Sequence, residues 1–359
     1  MPNSIPRLIL LCCLGLLFHA LAMGQRGGET VYTFLRLSPS SRITAMGGTQ
    51  ISVRDADPAF AVLNPASLNV AMDKSLTFQY HFLFDGISEG YVGFARHFEK
   101  QGITGHAGIQ FIQYGEFREA DAYGNLQGTF KANEIALTVG AAKQLGERIS
   151  AGTNLRFVQS RLESYNSSGL MLDIGGTYSV AEQGITLGLA VRNVGVQLTS
   201  YDDITEDMPI DIQLGLSKRL AHLPFRLSIT AHSLNTWDLL YDSPLTGPET
   251  TVIGEAPKEK SQFSQDLDNA VRHLIFGGEF LLGKQENFHL RLGYNHQRRK
   301  ELSVSSLRSF AGFSFGLGIR IKQFAIDYGL ATYHIAGSTN HIGISTNLER
   351  FKKSNGILD

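Results

Sequence analysis

Along most of this chain, apolar side chains recur at every second position. Between 311 and 322, Ala311, Phe313, Phe315, Leu317, Ile319 and Ile321 alternate with Gly312, Ser314, Gly316, Gly318, Arg320 and Lys322. Residues 225–232 set Phe225, Leu227, Ile229 and Ala231 against Arg226, Ser228, Thr230 and His232, and residues 288–295 set Phe288, Leu290, Leu292 and Tyr294 against His289, Arg291, Gly293 and Asn295. A period of two marks a β-strand, because successive side chains leave opposite faces. Across the chain this pattern predicts fourteen strands, over 75–83, 88–97, 103–114, 131–143, 148–160, 168–179, 184–193, 209–220, 223–233, 272–283, 287–297, 311–322, 324–333 and 338–348.

The links between these segments follow a parity. After even-numbered strands they are short, around Gln101, Gly146, Gln183, His222, Lys284 and Gln323. After odd-numbered strands they are longer on average (115–130, 161–167, 194–208, 234–271 and 298–310), with short exceptions near Asp85 and Ile335. Short turns at one end and long loops at the other are the arrangement of outer-membrane barrels. An even strand count returns both chain ends to the short-turn side, which would be the periplasm.

The two faces differ in the way a bilayer requires. One carries Leu, Ile, Val, Phe and Tyr; the other carries Gly, Ser, Thr and isolated charges such as Arg156, Asp173, Arg192, Asp211, Arg226, Glu279, Arg291, Arg320 and Asp327. Within lipid every backbone amide needs a partner, and a closed barrel supplies one without an open edge. The sequence therefore predicts an all-β fold: a 14-stranded antiparallel transmembrane outer-membrane β-barrel over 75–348, with an N-terminal plug over 25–74 and a periplasmic tail over 349–359.

Composition agrees. Lys plus Arg is 32 and Asp plus Glu is 33, without the basic excess of a nucleic-acid binder. At 43% hydrophobic and 18% charged, the 359-residue chain is not a disordered one. Residues 1–24 read as an export signal: Arg7, an apolar run from Leu8 to Phe18, then small residues at Ala20, Ala22 and Gly24. That run of about 11 residues is too short for a membrane span, which needs ~20. Removing the signal would remove Cys12 and Cys13, the two cysteines of the chain.

Residues 25–74 lack the two-residue period. Asp57 and Pro58 mark a helix start, and Pro65 an early end. Compact and rich in Gly and Ala, the stretch fits a plug inside the barrel, or else a periplasmic lead. Here the chain resembles a known family. Val31-Tyr32-Thr33-Phe34-Leu35-Arg36-Leu37, then Ser41-Arg42, Ala45-Met46-Gly47-Gly48, Ile51-Ser52-Val53 and Asn64-Pro65-Ala66, look like the start of the mature proteins of the PorV/PorQ branch of FadL-like barrels. Ser67 departs from that pattern, which has a large apolar residue there. The motif covers about 40 residues, and the count of fourteen strands extends the likeness over the rest. The resemblance implies a non-catalytic component of type IX secretion in the Bacteroidetes, tethering a PorZ-like surface protein beside the PorU/PorV attachment complex. Arg42, Gly47, Gly48, Asn64, Pro65 and Ala66 are then plug residues. The wider FadL-like barrels imply an alternative, passive transport of hydrophobic small molecules.

Other candidate chemistry is weak. Gly312-Phe313-Ser314-Phe315-Gly316 matches a nucleophile elbow, but it lies mid-strand, whereas an elbow needs a strand-to-helix turn. The eleven His residues show no metal-ligand spacing, and no cofactor is expected. The 38-residue link 234–271, with Trp237 and Tyr241, exceeds the ~12–15 residues beyond which a loop is usually functional or disordered. It is the candidate partner-binding loop, forming an external docking surface with 194–208; a mobile lid or a disordered loop is the other reading.

Overall fold

A computed structural model describes residues 30–202, 204–240, 261–302, 310–334 and 337–351. These form a closed barrel of fourteen strands in sequential order, each antiparallel to its neighbours. The strands are β1 (Ser75–Phe82), β2 (Ser88–Phe98), β3 (Ile103–Ala120), β4 (Leu126–Gln144), β5 (Ile149–Leu162), β6 (Tyr165–Val180), β7 (Ile185–Thr199), β8 (Asp211–Arg219), β9 (Phe225–Ala231), β10 (Leu274–Leu282), β11 (Phe288–Asn295), β12 (Phe313–Ile321), β13 (Phe324–His334) and β14 (Gly337–Asn347). The ring closes between β1 and β14, in register from Ser75↔Asn347 to Phe82↔Asn340.

Burial is inverted relative to a water-soluble sheet. On β1, Thr77 is 0% exposed while its neighbour Phe78 is 50% exposed. The same alternation runs along β12, where Phe313, Phe315 and Leu317 are exposed and Ser314 is buried. The apolar face points outward to lipid, and the polar face lines a filled interior.

Several boundaries differ from the periodic reading. The expected long link 115–130 is mostly a tall hairpin, paired from Glu116↔Lys131 up to Ala120↔Leu126. Apart from Phe117 and Phe130, which stack at 5.1 Å, its paired residues are mostly polar or small and lie exposed on both faces, so the apolar period fades although the ladder continues. Asp121 closes the tip by accepting from the backbone N–H of Tyr123 and Asn125, both at 2.9 Å. Likewise 161–167 shrinks to a tight turn at Glu163 and Ser164, since Leu162 still pairs with Tyr165. Strand β7 runs six residues beyond the predicted 193, to Thr199. There Arg192 and Asn193 bulge opposite Asp173, with Asn193 at φ 58, so the outward series Leu187, Leu189, Val191 restarts out of phase as Val194, Val196, Leu198. Gly312, at φ 83, turns the chain into β12, which places Ala311 in a buried position off the apolar face. Among the described residues two links contain α-helices: α2 (Gln262–Arg272) at the end of the link before β10, and α3 (His296–Glu301) after β11.

Residues 30–74 lie within the ring. They form a short helix α1 (Ser41–Ala45) and four 3₁₀ turns, and touch inward-facing positions on strands all round the wall. The segment runs the full height of the lumen. Thr30 bridges to Asp207 in the β7–β8 link, at the long-loop end, whereas Ser75 begins β1 at the short-turn end. The expectation that both chain ends share the short-turn side therefore fits the barrel ends, Ser75 and Asn347, but not Thr30. The signal over 1–24 and most of the tail lie outside the described residues.

Candidate functional site

The interior is where the chain concentrates its polar chemistry. Ser40 caps α1 by accepting from the Arg42 N–H at 3.2 Å, which fixes the turn that sends Arg42 toward the wall. The Arg42 guanidinium, buried, donates to both oxygens of Glu279 on β10 (3.0 and 2.9 Å) and both of Asp55 (3.2 and 2.6 Å). It also lies 5.0 Å from the centre of the Phe60 ring. Glu279 is shared with two further arginines: Arg226 at 3.1 Å and Arg291 at 2.7 Å, the latter reaching Asp327 at 2.6 Å. Three arginines thus meet four carboxylates once Asp57, 3.7 Å from Arg42, is counted. Buried charges are stable only when paired and hydrogen-bonded in this way.

After α1 the chain turns back at Gly47 and Gly48, both at φ 98, a region costly for any residue with a Cβ. Ser314 holds this turn: its Oγ accepts from the Gly47 N–H at 3.0 Å and donates to the Ala45 carbonyl at 3.1 Å. The serine of the elbow-like sequence is therefore a tie between wall and segment. Gly293 opposite leaves room for this approach; a Cβ there would lie 2.1 Å from the Gly47 nitrogen.

On the far wall, Asn64-Pro65-Ala66 forms a capped turn. Asn64 Oδ1 accepts from the Ala66 N–H at 3.0 Å, and its Nδ2 donates to the Ile51 carbonyl at 2.8 Å and the Gly176 carbonyl at 3.4 Å. Beside it, Arg156 pairs with Asp173 at 2.9 Å, both fully buried, and reaches the Val62 carbonyl at 3.3 Å. Asn154 donates to the Ala61 carbonyl at 2.9 Å, and the bulge residue Asn193 gives its backbone N–H to Asp173 at 2.7 Å.

Of the residues singled out in the sequence, Arg42, Gly47, Asn64, Pro65 and Ala66 meet the wall, whereas the Gly48 N–H donates to the Ile43 carbonyl within the segment. Glu279, Arg226, Arg291 and Asp327 were legible as inward charges, but not as partners of Arg42. Asn193 gave no signal, because the bulge that turns it inward breaks the period. At the long-loop end Trp237 is 67% exposed and stacks on His273 at 5.7 Å, its carbonyl accepting from Asn269 at 2.6 Å. Tyr241 lies outside the described residues. Nearby, Asp268 joins α2 to α3 through Lys300 (2.9 Å) and His296 (3.1 Å), and pairs within α2 with Arg272 (3.1 Å). Burial raises the Asp268 pKa, but hydrogen bonds from Lys300, His296 and Arg272 outweigh it and hold the carboxyl at about 2.

Among solved structures, the chain resembles the Pseudomonas putida toluene transporter TodX, with a TM-score of 0.50 at 12% identity over 86% of this chain and 96% of that one. The likeness is one of fold, a closed, antiparallel, 14-stranded outer-membrane β-barrel. A Pseudomonas aeruginosa FadL homologue (TM-score 0.47, 12% identity, 86% and 98% covered) and the monoaromatic hydrocarbon channel CymD (0.49, 13%, 86% and 96%) are further, weaker likenesses. No protein-family model matches the chain. No curated protein matches it.

Proposed function

We propose that this chain is a non-catalytic platform of the outer membrane, of the PorV/PorQ type in type IX secretion. On this reading it is exported by its signal and exposes the long-loop end to the outside. There it holds a PorZ-like surface protein beside the PorU/PorV attachment complex. The observation that carries the reading is the filled lumen. Residues 31–68 are almost wholly buried, latched by charge to one wall and by an Asn-Pro-Ala turn to the other, and the strand ladder around them is closed. A platform needs a rigid, sealed barrel and an outward docking face. The motif over 31–66 supplies the family resemblance.

The experiment is a crosslinked pull-down from gently solubilised outer membranes. Co-recovery of a PorZ-like or PorU-like surface protein is the expected result. Recovery of the barrel alone, with hydrophobic molecules bound, would overturn it in favour of a second reading, a passive transporter of hydrophobic small molecules. The shared fold with a toluene transporter favours that second reading. It requires the segment to move, since the Arg42 and Arg156 clusters occupy the lumen from wall to wall.

A further inference from the structure

A cavity of about 350 Å³ opens at the short-turn end between the N-terminal segment and β6–β9. Arg54, Arg219 and Arg226 line it with the hydroxyls of Ser179, Thr186 and Ser217 and the amide of Asn69, and no carboxylate belongs to its lining. Arg226 and Arg219 are paired outside the cavity, the first with Asp55 and Glu279, the second with Glu286. Arg54 differs. Its Nη2 donates to the neutral Gln144 Oε1 at 2.6 Å, its Nε is buried without a partner, and it makes no ion pair among the described residues. A partly buried guanidinium lacking a counter-charge is costly to keep unless something anionic completes it.

We infer that this cavity is a binding site for a small oxyanion entering from the short-turn side. Arg54 supplies the unmatched charge and a fork of N–H donors suited to a planar or tetrahedral oxyanion. Ser179 and Thr186 share one hydrogen bond at 3.2 Å, so each hydroxyl retains capacity for the ligand. Ala181 and Arg219 of its lining are exposed to solvent, and its volume accommodates a phosphate or a carboxylate. This inference holds for either function proposed above, because neither reading assigns a role to Arg54.

The test is calorimetric titration of the purified, detergent-solubilised full-length barrel with inorganic phosphate and, separately, with acetate, at constant ionic strength. Saturable binding of at least one probe is expected, weakened ~tenfold or more by Arg54→Gln and less by Arg54→Lys. Thr186→Val, which leaves the segment untouched, should weaken it ~threefold and serves if Arg54→Gln fails to fold. Competition by short-chain phosphatidylglycerol at lower concentration than phosphate would assign the site to a lipid head group, and its absence to a free anion. No saturable heat with either probe, or affinity unchanged in both Arg54→Gln and Thr186→Val, overturns the proposal.

Discussion

Two buried ion clusters flank the N-terminal segment, and they are built from opposite directions. At the β9–β13 wall the segment itself contributes charge: Arg42, Asp55 and Asp57 meet Glu279, Arg226, Arg291 and Asp327. At the β4–β7 wall the charges belong to the barrel alone, Arg156 with Asp173 and Arg192 beside them, and to these the segment offers no charge, only backbone carbonyls such as those of Val62 and Leu35. The first is a latch, incomplete until the segment is in place. The second is a wall already complete, against which the segment is laid. The comparison teaches that two equally buried arginines can have different consequences for the same segment.

The largest expected effect separates them. Arg42→Ala leaves Asp57 without a cation and takes one of two from Asp55 and one of three from Glu279, and breaking a buried pair costs ~3–5 kcal/mol. Arg156→Ala should destabilise the barrel by a similar amount. Only Arg42→Ala should expose residues 30–74 to protease under native conditions, and equal cleavage in both variants would break the comparison. Next come the contacts that let the segment approach. Gly293→Ala puts a methyl 2.1 Å from the Gly47 nitrogen and should cost ~1–3 kcal/mol in denaturant midpoint measurements. Gly176→Ala, with nothing within 4 Å of its added carbon, should stay within ~0.5 kcal/mol.

How much of this was legible follows from what each feature does to the period. The barrel was readable because lipid on one side and a polar lumen on the other write the same alternation into every strand. The hairpin above Gln113 was not, because both its faces meet water and the alternation has no cause there. The Arg192–Asn193 bulge was not, because it shifts phase within one strand. Arg42 and the Asn64-Pro65-Ala66 turn stood out by family resemblance alone. Their partners lie 237 residues away for Arg42–Glu279 and 112 for Asn64–Gly176, separations that no local pattern encodes. For that turn, Asn64→Ala removes a cap and orphans the Ile51 carbonyl, costing about 1–2 kcal/mol in the same denaturant assay. A loss below ~0.5 kcal/mol would mean that Pro65 alone sets the turn.

The smallest effect tests whether charge outside the lumen behaves like charge within it. Asp268 ties α2 to α3 at the long-loop end, in contact with water, so its ion pairs with Arg272, His296 and Lys300 are screened where those of Arg42 are not. Its carboxyl sits at about 2 in the folded chain against 3.8 for an ordinary aspartate. A depressed acid contributes stability that is present above its unfolded pKa and lost as pH falls through its folded one. The junction of α2 and α3 should therefore hold at pH 5 and loosen between about 4 and 2, read as amide exchange of residues 262–272. Asp268→Asn should flatten that dependence and leave protection of the lumenal segment unchanged. If Asp268→Asn also loosened the segment, the cap and the lumen would be one cooperative unit, and the line drawn between the latch and its surroundings would have to move outward to include α2.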